Sequence, residues 1–240
     1  LWRNVSYAFG PLAMRWNGTT WSLVNLPDTT PLGALPVTAG VAAASNGDVW
    51  VVGDVFVGYP YDNRPLVMRW RGGTWDYVET VTLRPSTVYP FAPRGGVLYE
   101  ASALTPDDIW AVGYGSGYGG GGGSSVPLAI HWDGSSWADV VPSVGNRSHR
   151  LNDVVAISPN DVWAVGNYSS VANTYRAVTF HWDGASWTHV HSPLEDISQS
   201  GLDDVVASGP NDVWAIGGSG AGVILMHWDG AQWSLMQPPP

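Results

Sequence analysis

The chain has 240 residues, with ten arginines, no lysine and 20 acidic residues, and its formal net charge is −10. Nucleic acids and anionic membranes attract basic surfaces, so this charge argues against either as the main partner. Thirty glycines and 18 prolines favour a loop-rich, all-β chain, and the absence of cysteine excludes disulfides and thiolate metal sites. No apolar run reaches the roughly 20 residues of a membrane-spanning helix, so we predict no membrane insertion.

Fifteen tryptophans recur at a fixed register and define five repeats. Each repeat ends in two tryptophans five residues apart, as in RWNGTTW (15–21) and HWDGAQW (227–233). A block with one tryptophan, such as NDVWAVG (160–166), precedes the pair, and the first repeat keeps only Trp2 of this block. Because they recur in every unit, we interpret them as packing residues. This structural set comprises Trp16, Trp21, Trp50, Trp70, Trp75, Trp110, Trp132, Trp137, Trp163, Trp182, Trp187, Trp214, Trp228 and Trp233.

Each repeat predicts four short antiparallel strands, which we name A, B, C and D in chain order. We expect strand A near residues 41–45, 99–104, 153–157 and 203–207 of repeats 2 to 5, and strand B at the single tryptophan. Strand C alternates with period two, and Asn-Gly, Asp-Gly or Gly-Gly then predicts a two-residue hairpin turn into strand D. Four-stranded units that recur every 46 to 62 residues are typical of propeller blades.

The expected fold class is therefore all-β, a single β-propeller of five four-stranded blades whose first blade lacks its innermost strand. The predicted blades span residues 1–26, 37–80, 97–141, 151–191 and 201–237. Residues upstream of this sequence would complete the first blade, or a strand from a neighbouring molecule would add to it. An open first blade is the remaining alternative.

The DVWAVG (161–166) and HWDGSSW (131–137) pattern resembles the repeats of secreted or surface-exposed bacterial β-propellers, similar in style to kelch and WD blades. The resemblance covers the whole chain. It implies an extracellular or cell-surface location and the binding of glycans or proteins.

Length variation between repeats is confined to the B–C and D–A loops, which emerge on one face of a propeller. Loops on a rigid scaffold commonly carry binding groups, and most tyrosines lie in these loops rather than in strands. We therefore predict a recognition surface on this face. Its candidate ligand-binding residues are Tyr59, Tyr61, Asp62, Arg64, Tyr89, Phe91, Arg94, Tyr114, Tyr118, Arg147, His149, Tyr168, Tyr175 and Arg176.

Histidine and acidic residues at repeated positions predict structure rather than chemistry. His131, His181 and His227 share one strand-C position, and equivalent positions on different blades diverge too far to share a metal ion. Four aspartates precede the strand-B tryptophan by two residues, and we interpret them as turn residues that accept backbone N–H bonds. They are Asp48, Asp108, Asp161 and Asp212.

No pair of carboxylates and no nucleophile motif can be assigned, so we expect no enzymatic activity, cofactor or metal. Asn146 and Asn167 lie in Asn-x-Ser/Thr sequons and are candidate glycosylation sites.

The leading hypothesis is a non-enzymatic extracellular recognition or adhesion module that binds a glycan or protein. One alternative is a structural subunit of a surface layer or filament that self-associates, for example through strand donation into the first blade. A carbohydrate-active enzyme is the other alternative, and it requires carboxylates that converge near the central channel.

Overall fold

The computed structural model describes residues 13–27, 35–56, 63–78, 95–116, 125–145, 147–169 and 174–236. Within them it has 18 strands and one 3-10 helix, Pro193–Asp196. No helix in these ranges is long and apolar enough to cross a bilayer. The strands are β1 Ala13–Trp16, β2 Trp21–Val24, β3 Leu35–Ala43, β4 Val49–Phe56, β5 Asn63–Arg71, β6 Thr74–Tyr77, β7 Gly95–Thr105, β8 Asp108–Ser116, β9 Ser125–Trp132, β10 Trp137–Asp139, β11 His149–Ser158, β12 Asp161–Ser169, β13 Tyr175–Trp182, β14 Trp187–His189, β15 Gly201–Gly209, β16 Asp212–Ser219, β17 Gly222–Trp228 and β18 Trp233–Met236.

These strands form five sheets, which confirms the all-β, five-bladed propeller. Blade 1 is described as the pair β1–β2, which corresponds to strands C and D, and the segment around Trp2 lies outside the described residues. Blades 2 to 5 each contain four antiparallel strands in the order A, B, C, D, from β3–β6 to β15–β18. The A strands β3, β7, β11 and β15 contact one another in that order, so blades 2 to 5 are neighbours in chain order.

Strand A begins earlier than its local pattern predicted. In blade 4 it starts at His149 rather than near Asp153, because His149 and Arg150 pair with Tyr168 and Asn167 of strand B. A register shift between Leu151 and Asp153 separates this extension from the rest of the strand. His149 and Arg150, which we predicted to lie in the D–A loop, are therefore the first residues of strand A in blade 4.

The C–D hairpins follow the predicted two-residue geometry only in blade 2. There Arg71 pairs with Thr74, and both Gly72 and Gly73 have positive φ. In blade 4, Trp182 pairs with Trp187, so the loop has four residues and only Gly184 has positive φ. The carboxylate of Asp183 holds this longer loop by accepting N–H bonds from the residues two and three positions on. The aspartate thus stabilises the turn through its side-chain carboxylate and not by adopting a left-handed backbone conformation.

The glycine that ends each strand-B block is required by the bulge in strand A. At Gly166 an added Cβ would lie 2.0 Å from the carbonyl oxygen of Arg150, and at Gly113 it would lie 1.9 Å from that of Val97. Strand A therefore passes against the bare Cα at this register, and any larger side chain would collide with backbone.

The repeated tryptophans join each blade to the next. Trp163 of β12 packs against Trp228 and Trp233 of blade 5, with ring centroids 4.8 and 5.3 Å away. Trp50 and Trp110 make the same contacts with the tryptophan pairs of blades 3 and 4. All three strand-B rings are buried, so Trp50, Trp110 and Trp163 form part of the core between blades.

The repeated aspartates pair with strand C, which differs from the backbone capping that we predicted. His131, His181 and His227 each place Nε2 2.8 Å from the carboxylate of Asp108, Asp161 and Asp212, respectively. In blade 2, Arg69 donates to Asp48 and lies over the Trp50 ring. Strand C pairs with strand B, and its histidine or arginine lies within hydrogen-bond distance of the aspartate at the start of strand B. The carboxylate therefore bonds to strand C and not to the backbone N–H groups of the A–B turn. These groups connect strands within a blade.

Candidate functional site

A cleft of about 470 Å³ opens between blades 4 and 5, where β12 and the start of β13 lie beside the D–A loop that enters blade 5. This is the face on which we predicted recognition. The six lining residues are uncharged at neutral pH: Asn167, Thr174, Tyr175, Gln199, Ser200 and Gly201.

Ser200 forms the rigid floor of the cleft. Its buried Oγ accepts the N–H of Ala177 at 3.0 Å and lies 2.9 Å from the carbonyl oxygen of Leu194. Its own N–H donates to the carbonyl oxygen of Tyr175 at 3.2 Å. These bonds tie the D–A loop to strand C of blade 4 beneath the cleft.

The groups around this floor are available to a ligand. The Tyr175 side chain is 58 % exposed. Gln199 is the one non-glycine residue with positive φ in the part of the chain that the structure describes, at 57°. A glutamine in the left-handed region is uncommon, and such backbone outliers cluster at functional sites. Tyr175 and Gln199 both line the cleft and are both exposed.

The loop behind the cleft is held by a charged cluster on the 3-10 helix. Arg176, which we predicted to bind ligand, donates to the carbonyl oxygen of Glu195. The Glu195 carboxylate lies 2.9 Å from Nε2 of His189 and 3.3 Å from Nδ1 of His191. Burial raises the pKa of Glu195, but the hydrogen bonds with His189, Ser192 and His191 and the attraction of His189 together outweigh it, so the pKa is lowered. The hydrogen bond between Glu195 and His189 raises the pKa of His189. Arg176 thus supports the loop that forms the cleft.

Other predicted residues pack against one another between blades 3 and 4. The Arg150 guanidinium lies 4.5 Å from the ring centroid of Tyr114, which is 5.5 Å from that of Tyr99. Burial, followed by the effect of Tyr114, raises the pKa of Tyr99 to about 12. His149 is buried, stacks on Tyr168 with centroids 5.3 Å apart, and its Nδ1 lies 2.8 Å from the carbonyl oxygen of Arg147.

The contacts of Tyr114, His149 and Tyr168 show where these predicted residues lie. Ligand binding by any of them stays a prediction. Burial lowers the pKa of His149, which therefore favours a neutral ring. Arg147 covers Tyr168 at 5.5 Å, and Arg64 lies on β5 of blade 2. Asn167, a predicted glycosylation site, lines the blade 4–5 cleft. The following predicted residues lie outside the described part of the chain: Tyr59, Tyr61, Asp62, Tyr89, Phe91, Arg94, Tyr118 and Asn146.

Three carboxylates lie at equivalent positions on the innermost strands of blades 3 to 5. The sequence patterns above did not predict this group. Glu100, Asp153 and Asp204 each follow the strand-A bulge of their blade and each precede the strand-B tryptophan by ten residues. Glu100 Oε1 accepts the N–H groups of Ala101 and of Val41 in the preceding blade, at 3.0 and 3.1 Å. These side chains therefore join neighbouring blades near the axis. The fixed ten-residue spacing was the signal that could have found them.

Asp153 is the most perturbed of these groups. Its two carboxylate oxygens accept the N–H of Val154 at 2.7 Å and that of Val205, in blade 5, at 2.6 Å. Burial and a hydrogen bond with the Asp204 carboxyl nevertheless raise the pKa of Asp153 to about 7. Two carboxyl groups can share a hydrogen bond only if one carries a proton, so Asp153 holds a proton in mildly acidic solution. Within the described ranges, no group of three or more His, Asp or Glu side chains is arranged to hold a metal ion.

No protein-family model matches the sequence, and no curated protein is similar to it. Solved structures do share its fold. YCF48 from Cyanidioschyzon merolae has a TM-score of 0.50 at 13 % identity, covering 88 % of this chain and 60 % of its own. The SapL1 lectin in complex with α-methyl fucoside has a TM-score of 0.51 at 16 % identity, covering 85 % and 62 %.

A family 117 glycoside hydrolase of the marine bacterium Zobellia galactanivorans has a TM-score of 0.52 at 8 % identity, covering 84 % of this chain and 69 % of its own. The chain thus spans about 60 % of the length of YCF48 and of the lectin. At these identities the likeness concerns the fold alone, and the three structures are β-propellers. A propeller fold hosts both binding proteins and enzymes, so function must be argued from the site.

Proposed function

We propose that this propeller is a non-enzymatic, extracellular recognition module and that it binds a glycan in the cleft between blades 4 and 5. The observation that carries the proposal is the exposed Tyr175 ring beside Asn167 and Gln199 in a cleft of about 470 Å³. An aromatic ring supplies apolar contact area for the C–H face of a sugar, and side-chain amides supply both donors and acceptors for its hydroxyls.

The size and charge of the cleft favour a sugar residue over a protein segment. Its volume lies in the range of small-molecule sites, and its lining combines one aromatic surface with a few polar groups. A neutral lining also favours neutral sugars, because a carboxylated sugar would be desolvated there without a cationic partner. The SapL1 lectin, which was solved with α-methyl fucoside, illustrates that a propeller of this fold can serve such a role.

The carboxylates at the axis support the non-enzymatic part of the proposal. Glycosidases place two carboxyl groups about 5 Å apart or more, so that a sugar fits between them. Asp153 and Asp204 are instead hydrogen-bonded to each other, and Glu100 and Asp153 accept backbone N–H groups. These carboxylates are engaged in joining strands, which leaves none of the three poised as a glycosidase acid or nucleophile.

Binding is tested by a glycan array with the 240-residue chain, followed by isothermal titration with the best ligand. We expect a neutral glycan to bind and Tyr175→Ala to weaken it at least about tenfold, because the stacking surface is lost. Tyr175→Phe keeps the ring and should bind more tightly than Tyr175→Ala. Tyr77→Ala is the matched control, since it removes an exposed tyrosine from strand D of blade 2.

Equal affinities of the wild type and Tyr175→Ala would remove the cleft from consideration. If the array shows no glycan binding at all, the proposed function fails as a whole. Chromatography of the bound glycan after prolonged incubation tests the absence of enzymatic activity, and any shortened product would contradict it.

A further inference from the structure

The contact between successive blades repeats closely enough to act as a template. In blade 4 the surface that meets blade 5 includes Trp163, Val155, Val165 and Ala177. Trp163, Val165 and Ala177 are almost completely buried there, and Val155 packs against the same cluster. We call this the trailing face of a blade. The tryptophan pair that receives it belongs to the leading face of the next blade.

Blade 5 has the same trailing face, but its apolar residues are exposed, and no described residue of another blade covers them. Val206, Ile216 and Val223 occupy the positions of Val155, Val165 and Ala177, and they are 59, 44 and 73 % exposed. The ring of Trp214, which corresponds to Trp163, lies against His227, just as Trp163 lies against His181. Within the described residues, however, no aromatic ring of another blade packs on Trp214.

The described β1–β2 hairpin of blade 1 carries the complementary leading face, and its tryptophans are also exposed. The Trp16 and Trp21 rings lie 5.6 Å apart at 46°, close to the 5.9 Å and 54° of Trp228 and Trp233. This receiving pair is therefore already formed. Trp16 and Trp21 are nevertheless 49 and 63 % exposed, and Met14, which corresponds to the buried Met226, is exposed beside them.

We propose that the trailing face of blade 5 binds the β1–β2 hairpin of a second copy of this chain, with Trp214 inserted between Trp16 and Trp21 of that copy. The argument is continuity with an existing interface, because three contacts of the same composition already hold blades 2 to 5 together. Both surfaces are apolar, exposed and preformed, so association buries hydrophobic area without reorganising either side.

The proposed contact joins two different surfaces, so it is heterologous. A heterologous contact generates a ring if its rotation closes and a filament if it does not. Each copy would still present its blade 4–5 cleft, since the cleft residues belong to neither face. Assembly would then make the array multivalent, which increases avidity without a new contact to the ligand.

The test uses sedimentation velocity on the 240-residue chain over a range of concentrations. We expect concentration-dependent association of the wild type, and monomers for Ile216→Asp, which blocks the trailing face, and for Trp16→Ser, which blocks the leading face. Each substitution should raise the dissociation constant at least about tenfold. Ile197→Asp is the matched control, because Ile197 is an exposed apolar residue of the D–A loop that lies on neither face.

A mixing experiment separates specific docking from loss of folding. Ile216→Asp retains an intact leading face and Trp16→Ser an intact trailing face, so an equimolar mixture should form a 1:1 dimer and nothing larger. Circular dichroism of each variant confirms that both remain folded.

A wild-type monomer at all concentrations would overturn the proposal. Tryptophan oxidation would then show why the wild type is monomeric. Protection of Trp16 and Trp21 would mean that the hairpin of the same chain covers blade 5. Rapid oxidation of both would mean that neither face is used.

Discussion

The absence of a Cβ at Gly166 allows strand A of blade 4 to pass close to strand B. The carbonyl oxygen of Arg150 would lie 2.0 Å from a Cβ at this position, so Gly166→Ala requires the backbone of strand A to move. We expect a loss of at least about 2 kcal/mol in the free energy of unfolding, because the colliding atom cannot rotate away.

Urea denaturation monitored by tryptophan fluorescence measures this loss. Gly209→Ala is the control, since an added Cβ at Gly209 meets no atom within 4 Å. Its effect should stay within about 0.5–1 kcal/mol. Equal effects at the two positions would contradict the close approach of strand A.

Asp153 makes stability depend on pH in an unusual direction. Its pKa is about 7 in the folded chain, whereas an unfolded aspartate titrates near ~3.9. Between these values the folded state binds more protons than the unfolded state, so the free energy of unfolding falls as pH rises from about 4 to about 7.

Asp204→Asn should flatten this dependence. The asparagine amide donates to an ionised Asp153, whereas the wild-type carboxyl pair needs a shared proton. The pKa of Asp153 then falls, and the variant gains stability relative to the wild type at pH 8 but much less at pH 4. Denaturation of both proteins at a series of pH values measures the difference, and parallel pH profiles would contradict this account.

Single strands are joined across blades by side chains that accept backbone N–H groups. The clearest case is Glu100 on β7, whose Oε1 accepts from Val41 on β3 and from Ala101 on its own strand. Gly40 makes this approach possible, because a Cβ there would lie 2.6 Å from the same oxygen. The contact therefore depends on a glycine in one blade and an acid in the next.

Glu100→Ala should be far more damaging than Glu100→Gln. Alanine removes the acceptor of the partly buried Ala101 N–H, at a cost of about 1 kcal/mol, and breaks the exposed link to Val41, whereas glutamine keeps the accepting oxygen. Thermal unfolding followed by circular dichroism would rank the two variants. A glutamine variant as unstable as the alanine variant would show that charge, rather than hydrogen bonding, matters at this position.

Blades in the whole molecule are held together by the interlocked tryptophans. Trp163 is buried between Trp228 and Trp233, and we expect Trp163→Ala to cost about 3–5 kcal/mol. Trp214→Ala is the internal comparison, because among the described residues the equivalent ring in blade 5 contacts no aromatic ring of another blade.

At protein concentrations too low for association, Trp214→Ala should cost clearly less than Trp163→Ala. Hydrogen exchange should show lost protection on both sides of the blade 4–5 contact for Trp163→Ala. Equal stability losses would mean that the trailing face of blade 5 is covered within a single chain.

The sequence by itself determined the number of blades, the four-strand order in the complete blades and the positions of the tryptophans that pack between those blades. Each of these follows from local chemistry that recurs with the repeat: alternation in strand C, glycine in the turn, and an indole at a constant register. Outside blade 2, the geometry of the C–D turns could not be predicted from the sequence. The Asp-Gly pair indicates a left-handed backbone at both residues, but Asp183 instead accepts backbone N–H bonds with its carboxylate, and only Gly184 has positive φ.

Only the tertiary structure decided which side chains meet between strands and between blades. The pairing of Asp161 with His181, the convergence of Asp153 and Asp204, and the cleft beside Tyr175 all join residues that are distant in sequence or separated by a bulge. A bulge shifts strand register by one residue and reverses which side chains face inward, so local alternation cannot foresee such contacts.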